Sequence, residues 1–175
     1  MKTKNILKPE PDHPEASEPG RTAATRSSSP PFRLKRLLVP VDFSTNSLRA
    51  LEYALGMAEP LDASIIILHV VEPAVHGANY LTVSTAVEET NNNLLMAGRE
   101  RLEAVSSARS GHGVPIETLV RIGRAHSEIA DTAKAMGADW IVLASHGQTD
   151  AKHNTLGSTA ERVIRTATCP VLAVP

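Results

Sequence analysis

Near the end of the chain two short apolar runs, Trp140 to Ala144 and Val171 to Val174, are separated by a polar loop and one helical segment that opens at Gly157-Ser158. Apolar runs without polar alternation fit strands covered on both faces, and such strands pair in parallel, so a helix must carry the chain back between them. Strand, loop, helix, strand is therefore the unit that constrains the fold most. Its small residues fall where the first strand ends and where the helix begins. In α/β proteins phosphates are held at that place, because backbone N–H groups can approach an anion there and the helix N-terminus carries positive partial charge.

The same alternation runs through the chain upstream. Leu37 to Asp42 reads as a buried strand, Ser44 as the cap of a helix with Leu48, Leu51, Ala54, Leu55 and Ala58 on one face, and Pro60 lies just past its end. Ser64 to Val71 is a second buried strand, and Glu72 to Leu81 is a loop. A longer helix is expected between Ser84 and Ser107, its irregular apolar face made by Leu94, Leu95, Leu102 and Val105. Gly111 to Pro115 breaks the chain before Ile116 to Ile122, which alternates as a strand with one wetter face. Gly123-Arg124 turns into a third helix striped by Ile129, Ala130, Ala133 and Met136, and Gly137 ends it. Five strands joined by helical crossovers predict an α/β fold: a Rossmann-like, doubly wound, five-stranded parallel sheet with helices on both faces.

Composition agrees with one packed domain in a chain of 175 residues. Hydrophobic residues are 42% and aromatics only 3%, so aliphatic side chains must fill the core. Residues 1–32, rich in proline, serine and charge, have too little apolar surface to offset ordering and read as a disordered extension; residues 33–175 read as the domain. A formal net charge of -1 gives no electrostatic reason to expect nucleic acid or an anionic membrane surface as partner. No signal-peptide core or membrane-spanning stretch is evident, and the single cysteine, Cys169, cannot form an internal disulfide, so a cytoplasmic setting is expected.

The candidate site gathers at the carboxyl ends of the strands. Ser158 and Glu161 have the S-x-x-E spacing of a capping box, with Gly157 just before it. No Gly-Lys-[Ser/Thr] follows, so the loop is not a Walker P-loop; phosphates would be held by the N–H groups of Gly147, Gly157, Ser158 and Thr159, aided by the hydroxyls of Ser145, Ser158 and Thr159. His146, Lys152 and His153 could add positive charge. Asp42 stands at the tip of the first strand, the edge at which open α/β sheets bind ligands, and reads equally as a helix-capping or turn aspartate. No catalytic residue is assigned: Asp42 and Asp150 are too few for a defined magnesium site, and Ser145 and His146, adjacent along the chain, are expected to point apart. His69 in an apolar strand reads as a core residue with a satisfied hydrogen bond, and Cys169 as a packing residue.

These residues resemble the universal stress protein family. Its ATP-binding members carry G-x-x-G, nine residues, then G-[S/T]; the matching positions here are Ala144, Gly147, Gly157 and Ser158, with nine residues, Gln148 to Leu156, between the glycines and Ala144 where the first glycine is expected. The likeness extends over Arg33 to Pro175, including the opening Leu37-Leu38-Val39-Pro40-Val41-Asp42, Leu68-His69-Val70 and the closing Cys169-Pro170-Val171-Leu172-Ala173-Val174. It implies an adenine nucleotide (ATP, ADP or AMP), with or without Mg2+, bound by Pro40, Val41, Asp42, Val70, Leu143, Ala144, Ser145, His146, Gly147, Gly157, Ser158 and Thr159. It also implies a homodimer paired through the last strand. Three readings stay open: a nucleotide-responsive regulatory dimer, a stress-response dimer that binds no nucleotide, and a slow ATP hydrolase.

Overall fold

The computed structural model describes residues 34–73, 85–147 and 156–175. The expected N-terminal extension lies outside them, as do Asp150, Lys152 and His153 and most of the loop expected between Glu72 and Leu81. The elements alternate: β1 (Arg36–Pro40), α1 (Thr45–Ala58), β2 (Ser64–Val71), α2 (Thr85–Ser107), β3 (Ile116–Ile122), α3 (Ala125–Ala135), β4 (Trp140–Ala144), α4 (Ser158–Thr166) and β5 (Val171–Val174). All neighbouring strands pair in parallel, in the order β3-β2-β1-β4-β5. The chain thus winds outward from β1 through β2 to β3, then returns to the other side of β1 with β4. That reversal opens a crevice at the carboxyl ends of β1 and β4.

Successive side chains of each strand turn to opposite faces of the sheet. Leu37, Val39, Ile65, Ile67 and Val142 pack on one face against Ala50, Leu51, Ala54 and Leu55 of α1 and Leu102 of α2. Leu38, Ile66, Leu68, Ile141 and Leu143 pack on the other against Ile129 and Ala133 of α3 and Ala160 and Val163 of α4. Each fully buried Leu or Ile contributes about 1.5–3 kcal/mol, and β1, β2 and β4, apolar on both faces, supply many of them. α2 departs from the expected face. Leu102 is fully buried, but Leu94 is 41% exposed, because it lies at the margin of the contact with the sheet.

The helix ends show which signals are local. Gly137, at φ +61°, follows α3 in the left-handed conformation; its N–H donates to Lys134 O (3.3 Å) and the Ala138 N–H to Ala133 O (2.9 Å), which closes the helix in a Schellman motif. At the amino ends of the strands Asp139 Oδ2 accepts from the N–H groups of Lys35 (2.8 Å) and Arg36 (2.9 Å), clamping β1 to the start of β4. With that end closed, the opposite edge of the sheet is where a ligand can enter.

Candidate functional site

β1 stops at Pro40, two residues before the expected Asp42, although the Val41 N–H still donates to Leu68 O (2.8 Å). The chain then turns sharply. Asp42 Oδ1 accepts from the Ser44 N–H (3.0 Å), and Phe43 is left at φ +64°, a conformation that bulky residues adopt only when their surroundings impose it. Ser44 caps α1 as its residue type predicts: its hydroxyl accepts from the Ser47 N–H (3.2 Å), and Ser47 Oγ in turn accepts from the Asp42 N–H (3.3 Å). The Asp42 side chain is thereby held at the mouth of the crevice.

Across the crevice, β4 ends at Ala144 and the chain bends at Ser145. The Ser145 N–H donates to Val174 O (2.7 Å), tying the end of β4 to β5, and its carbonyl accepts from the Gly157 N–H (2.8 Å). Gly157 therefore braces the start of α4 against β4, and its amide is not among those open to an anion. That corrects one of the expected donors. The capping box also does not form: Gly157 is the N-cap residue, with no side-chain cap, Ser158 is the first helical residue, and Glu161 Oε1 accepts instead from Arg165 Nη2 (2.9 Å). Among the described residues no acceptor meets the N–H groups of Ser158, Thr159 and Ala160. Among the described residues, the first turn of α4 thus presents unpaired donors with the positive end of a helix behind them.

Ser145 and His146 do not diverge. Ser145 Oγ lies 2.7 Å from His146 Nδ1. The alternation of side chains holds only within the strand, and the bend after Ala144 turns both onto the same side. His69 makes the expected hydrogen bond, Nδ1 donating to Val41 O at 2.9 Å, but it is half-buried beside the core, its ring packing against Phe43 with centroids 4.5 Å apart. Cys169 packs against the core on the α3/α4 face, and burial pushes its thiol pKa up, the Asp139 charge adding to the rise and a backbone hydrogen bond opposing it. It is a poor nucleophile at neutral pH.

All twelve residues named from the sequence line one cleft of about 160 Å³. Pro40, Val41, Val70 and Leu143 give the lining its apolar part, and Asp42, Ser145, His146, Gly147, Gly157, Ser158 and Thr159 its polar and small-residue part. Glycine at 147 matters for its close approach, since a Cβ there would come within 3.2 Å of Asp42 Oδ2. Ala144 borders the cleft while packing against the core on the α1/α2 face. Ser47, Leu68, Ala125, Ile129 and Ala160 also line it and were not assigned to it from the sequence. Ala125 and Ile129 could have been found from topology, because the β1/β4 crevice is also where α3 begins its return across the sheet.

The family model described as the universal stress protein family matches residues 33–175. The chain belongs to the universal stress protein family. Universal stress protein MJ0531 of Methanocaldococcus jannaschii is 34% identical over 140 residues, covering 80% of this chain and 81% of that protein. Among solved structures, MJ0577 of the same organism superposes with a TM-score of 0.71 at 29% identity, covering 80% of this chain and 94% of that one. A universal stress protein from Archaeoglobus fulgidus, solved in complex with dAMP, shares the fold at a TM-score of 0.55 and 20% identity over 82% of this chain and 98% of that one. The family's α/β sheet is thus the sheet found here. No helix among the described residues is long and apolar enough to cross a membrane, and no group of three or more His, Cys, Asp or Glu among them is arranged to hold a metal ion.

Proposed function

We propose that this universal stress protein binds an adenine nucleotide, ATP, ADP or AMP, in the cleft between β1 and β4, and that it acts as a cytoplasmic regulatory homodimer in the stress response. The observation that carries the reading is the first turn of α4: three consecutive N–H groups without an acceptor among the described residues, in the lining of a cleft that is otherwise partly apolar. A nucleotide supplies what each part lacks. Its phosphates fit unpaired amides at a helix N-terminus, and its base fits Pro40, Val41, Val70 and Leu143. The Asp42 carboxylate, at the tip of β1, would accept from a ribose hydroxyl. A protein of the same fold solved in complex with dAMP supports an adenine nucleotide as the ligand.

The residues present suit a nucleotide held by main-chain donors. Mg2+, if it accompanies the nucleotide, would be held chiefly by the phosphates and water, with Asp42 the nearest carboxylate among the residues that line the cleft. The dimer would form through β5, an outer strand whose apolar Val171, Leu172 and Ala173 are half-buried in the single chain. Mass spectrometry of the small molecules released from purified, heat-denatured protein tests the binding directly, followed by calorimetric titration with ATP, ADP and AMP with and without Mg2+. An adenine nucleotide in the released fraction and saturable heat are expected. Absence of both, with no thermal shift at millimolar nucleotide, would leave a self-associating scaffold of the same fold.

A further inference from the structure

The sheet has a second outer strand, β3, and its edge carries a pattern of its own. Ile65 N–H donates to Pro115 O (2.9 Å) and Gly123 N–H to Val71 O (3.0 Å), with Ile65 opposite Ile116 and Val71 opposite Ile122. In a parallel pair this means that the odd-numbered residues from Pro115 to Gly123 turn their backbone groups toward β2. Ile116, Thr118, Val120 and Ile122 therefore turn theirs outward, and among the described residues no element pairs with them. Glu117 and Arg121 are exposed, while Leu119 between them is half-buried on the α3/α4 face.

We propose that β3 pairs with β3 of a second copy, antiparallel about a two-fold axis at Leu119. The backbone parity limits the registers, because outward residues must meet outward residues. Centred on Leu119, Ile116 lies opposite the second copy's Ile122 and Thr118 opposite its Val120, so all four outward residues of each strand enter the ladder. The same register places Glu117 directly opposite the second copy's Arg121, twice across the axis, in the non-hydrogen-bonded pairs where side chains come closest. Centring on Thr118 or Val120 instead leaves an outward residue without a partner in the strand and sets Glu117 opposite Leu119 or Gly123. Charge of one sign along an edge keeps it from its own copy. Here an acid and a base stand symmetrically about Leu119, and the edge is complementary to itself. This contact is independent of β5; a copy engaged at both edges would extend into an open chain of alternating two-folds.

The test uses the full chain carrying Ala173→Pro, since Ile141 N–H to Pro170 O and Ser145 N–H to Val174 O show that Ala173 faces away from β4, so proline there removes an outward donor of β5 and spares the β4 ladder. Sedimentation equilibrium should show a dimer in this background. Glu117→Arg or Arg121→Glu alone creates two like-charge pairs and should weaken it by roughly tenfold; the two together restore opposite charges and should restore the dimer. In the same background with Cys169→Ser, Leu119→Cys should cross-link on oxidation, because the Leu119 Cα atoms would face each other at about 4.5 Å. A monomer in the Ala173→Pro background, single reversals that leave the association unchanged, a double reversal that fails to restore it, or no cross-link at Leu119 would each overturn the proposal. None of these readouts depends on nucleotide binding, so failure here and failure of the cleft reading are separable.

Discussion

Two helices begin at the same edge of the sheet, α1 after β1 and α4 after β4, and their first turns are treated in opposite ways. α1 is closed by its own sequence: Ser44 Oγ accepts from Ser47 N–H, and the Asp42 carboxylate accepts from Ser44 N–H. α4 starts at a glycine with no side-chain cap, and its nearest carboxylate by sequence, Glu161, pairs with Arg165. The difference teaches where binding energy is kept. A capped turn adds to folding stability, whereas an uncapped one leaves donors to water or to a ligand.

Making α4 resemble α1 should have the largest effect. Gly157→Asp offers a side-chain acceptor to the first-turn amides and sets a negative charge where phosphates would lie. Affinity for AMP, ADP or ATP should fall at least tenfold, about 1.4 kcal/mol, by calorimetric titration, while the melting temperature of the free protein holds or rises slightly. A variant that binds nucleotide as well as the parent would show that α4 is not the anion site. The converse change opens α1. Ser44→Ala should cost about 1 kcal/mol in denaturant unfolding, with a much smaller effect on nucleotide affinity, since Ser44 does not line the cleft. Equal losses in stability and binding would mean that the two turns are coupled through Asp42.

Smaller changes sharpen the contrast. Ala144→Gly removes a methyl group from the cleft wall at the end of β4, and should cost roughly 0.5–1 kcal/mol in stability while nucleotide affinity rises; a fall in affinity would show that the methyl group is a contact and not an obstacle. Glu161→Ala breaks only an exposed i,i+4 pair. Its expected cost is about 0.3–0.5 kcal/mol, lost in high salt. A larger cost, or one insensitive to salt, would revive a capping role for Glu161.

The elements themselves are legible in the sequence. Apolar runs such as Ser64 to Val71, the Ser44 cap and the Gly137 stop are local signals, set by side-chain period and by the conformations single residues tolerate. Errors arose where a residue's partner lies elsewhere. Ser158 and Glu161 have capping-box spacing, yet Gly157 takes the N-cap position because its N–H is drawn to Ser145 O, far back along the chain. Leu94 belongs to an apolar pattern but lies at the margin of the contact with the sheet and is 41% exposed. Ser145 and His146 meet because the strand ends between Ala144 and Ser145, a boundary that the sequence marks only loosely.

By itself the sequence determined the alternation of strands and helices, the parallel sheet that follows from it, and most of the residues gathered at its carboxyl edge. Only the tertiary structure decided which amides are spent within the protein and which remain open, how the edges of β3 and β5 face outward, and how Asp42 and Gly147 approach each other. The physical reason is range. Hydrophobic period and backbone preference act over a few residues, whereas an unpaired donor is defined by every segment that could have reached it, and those segments are brought near only by folding.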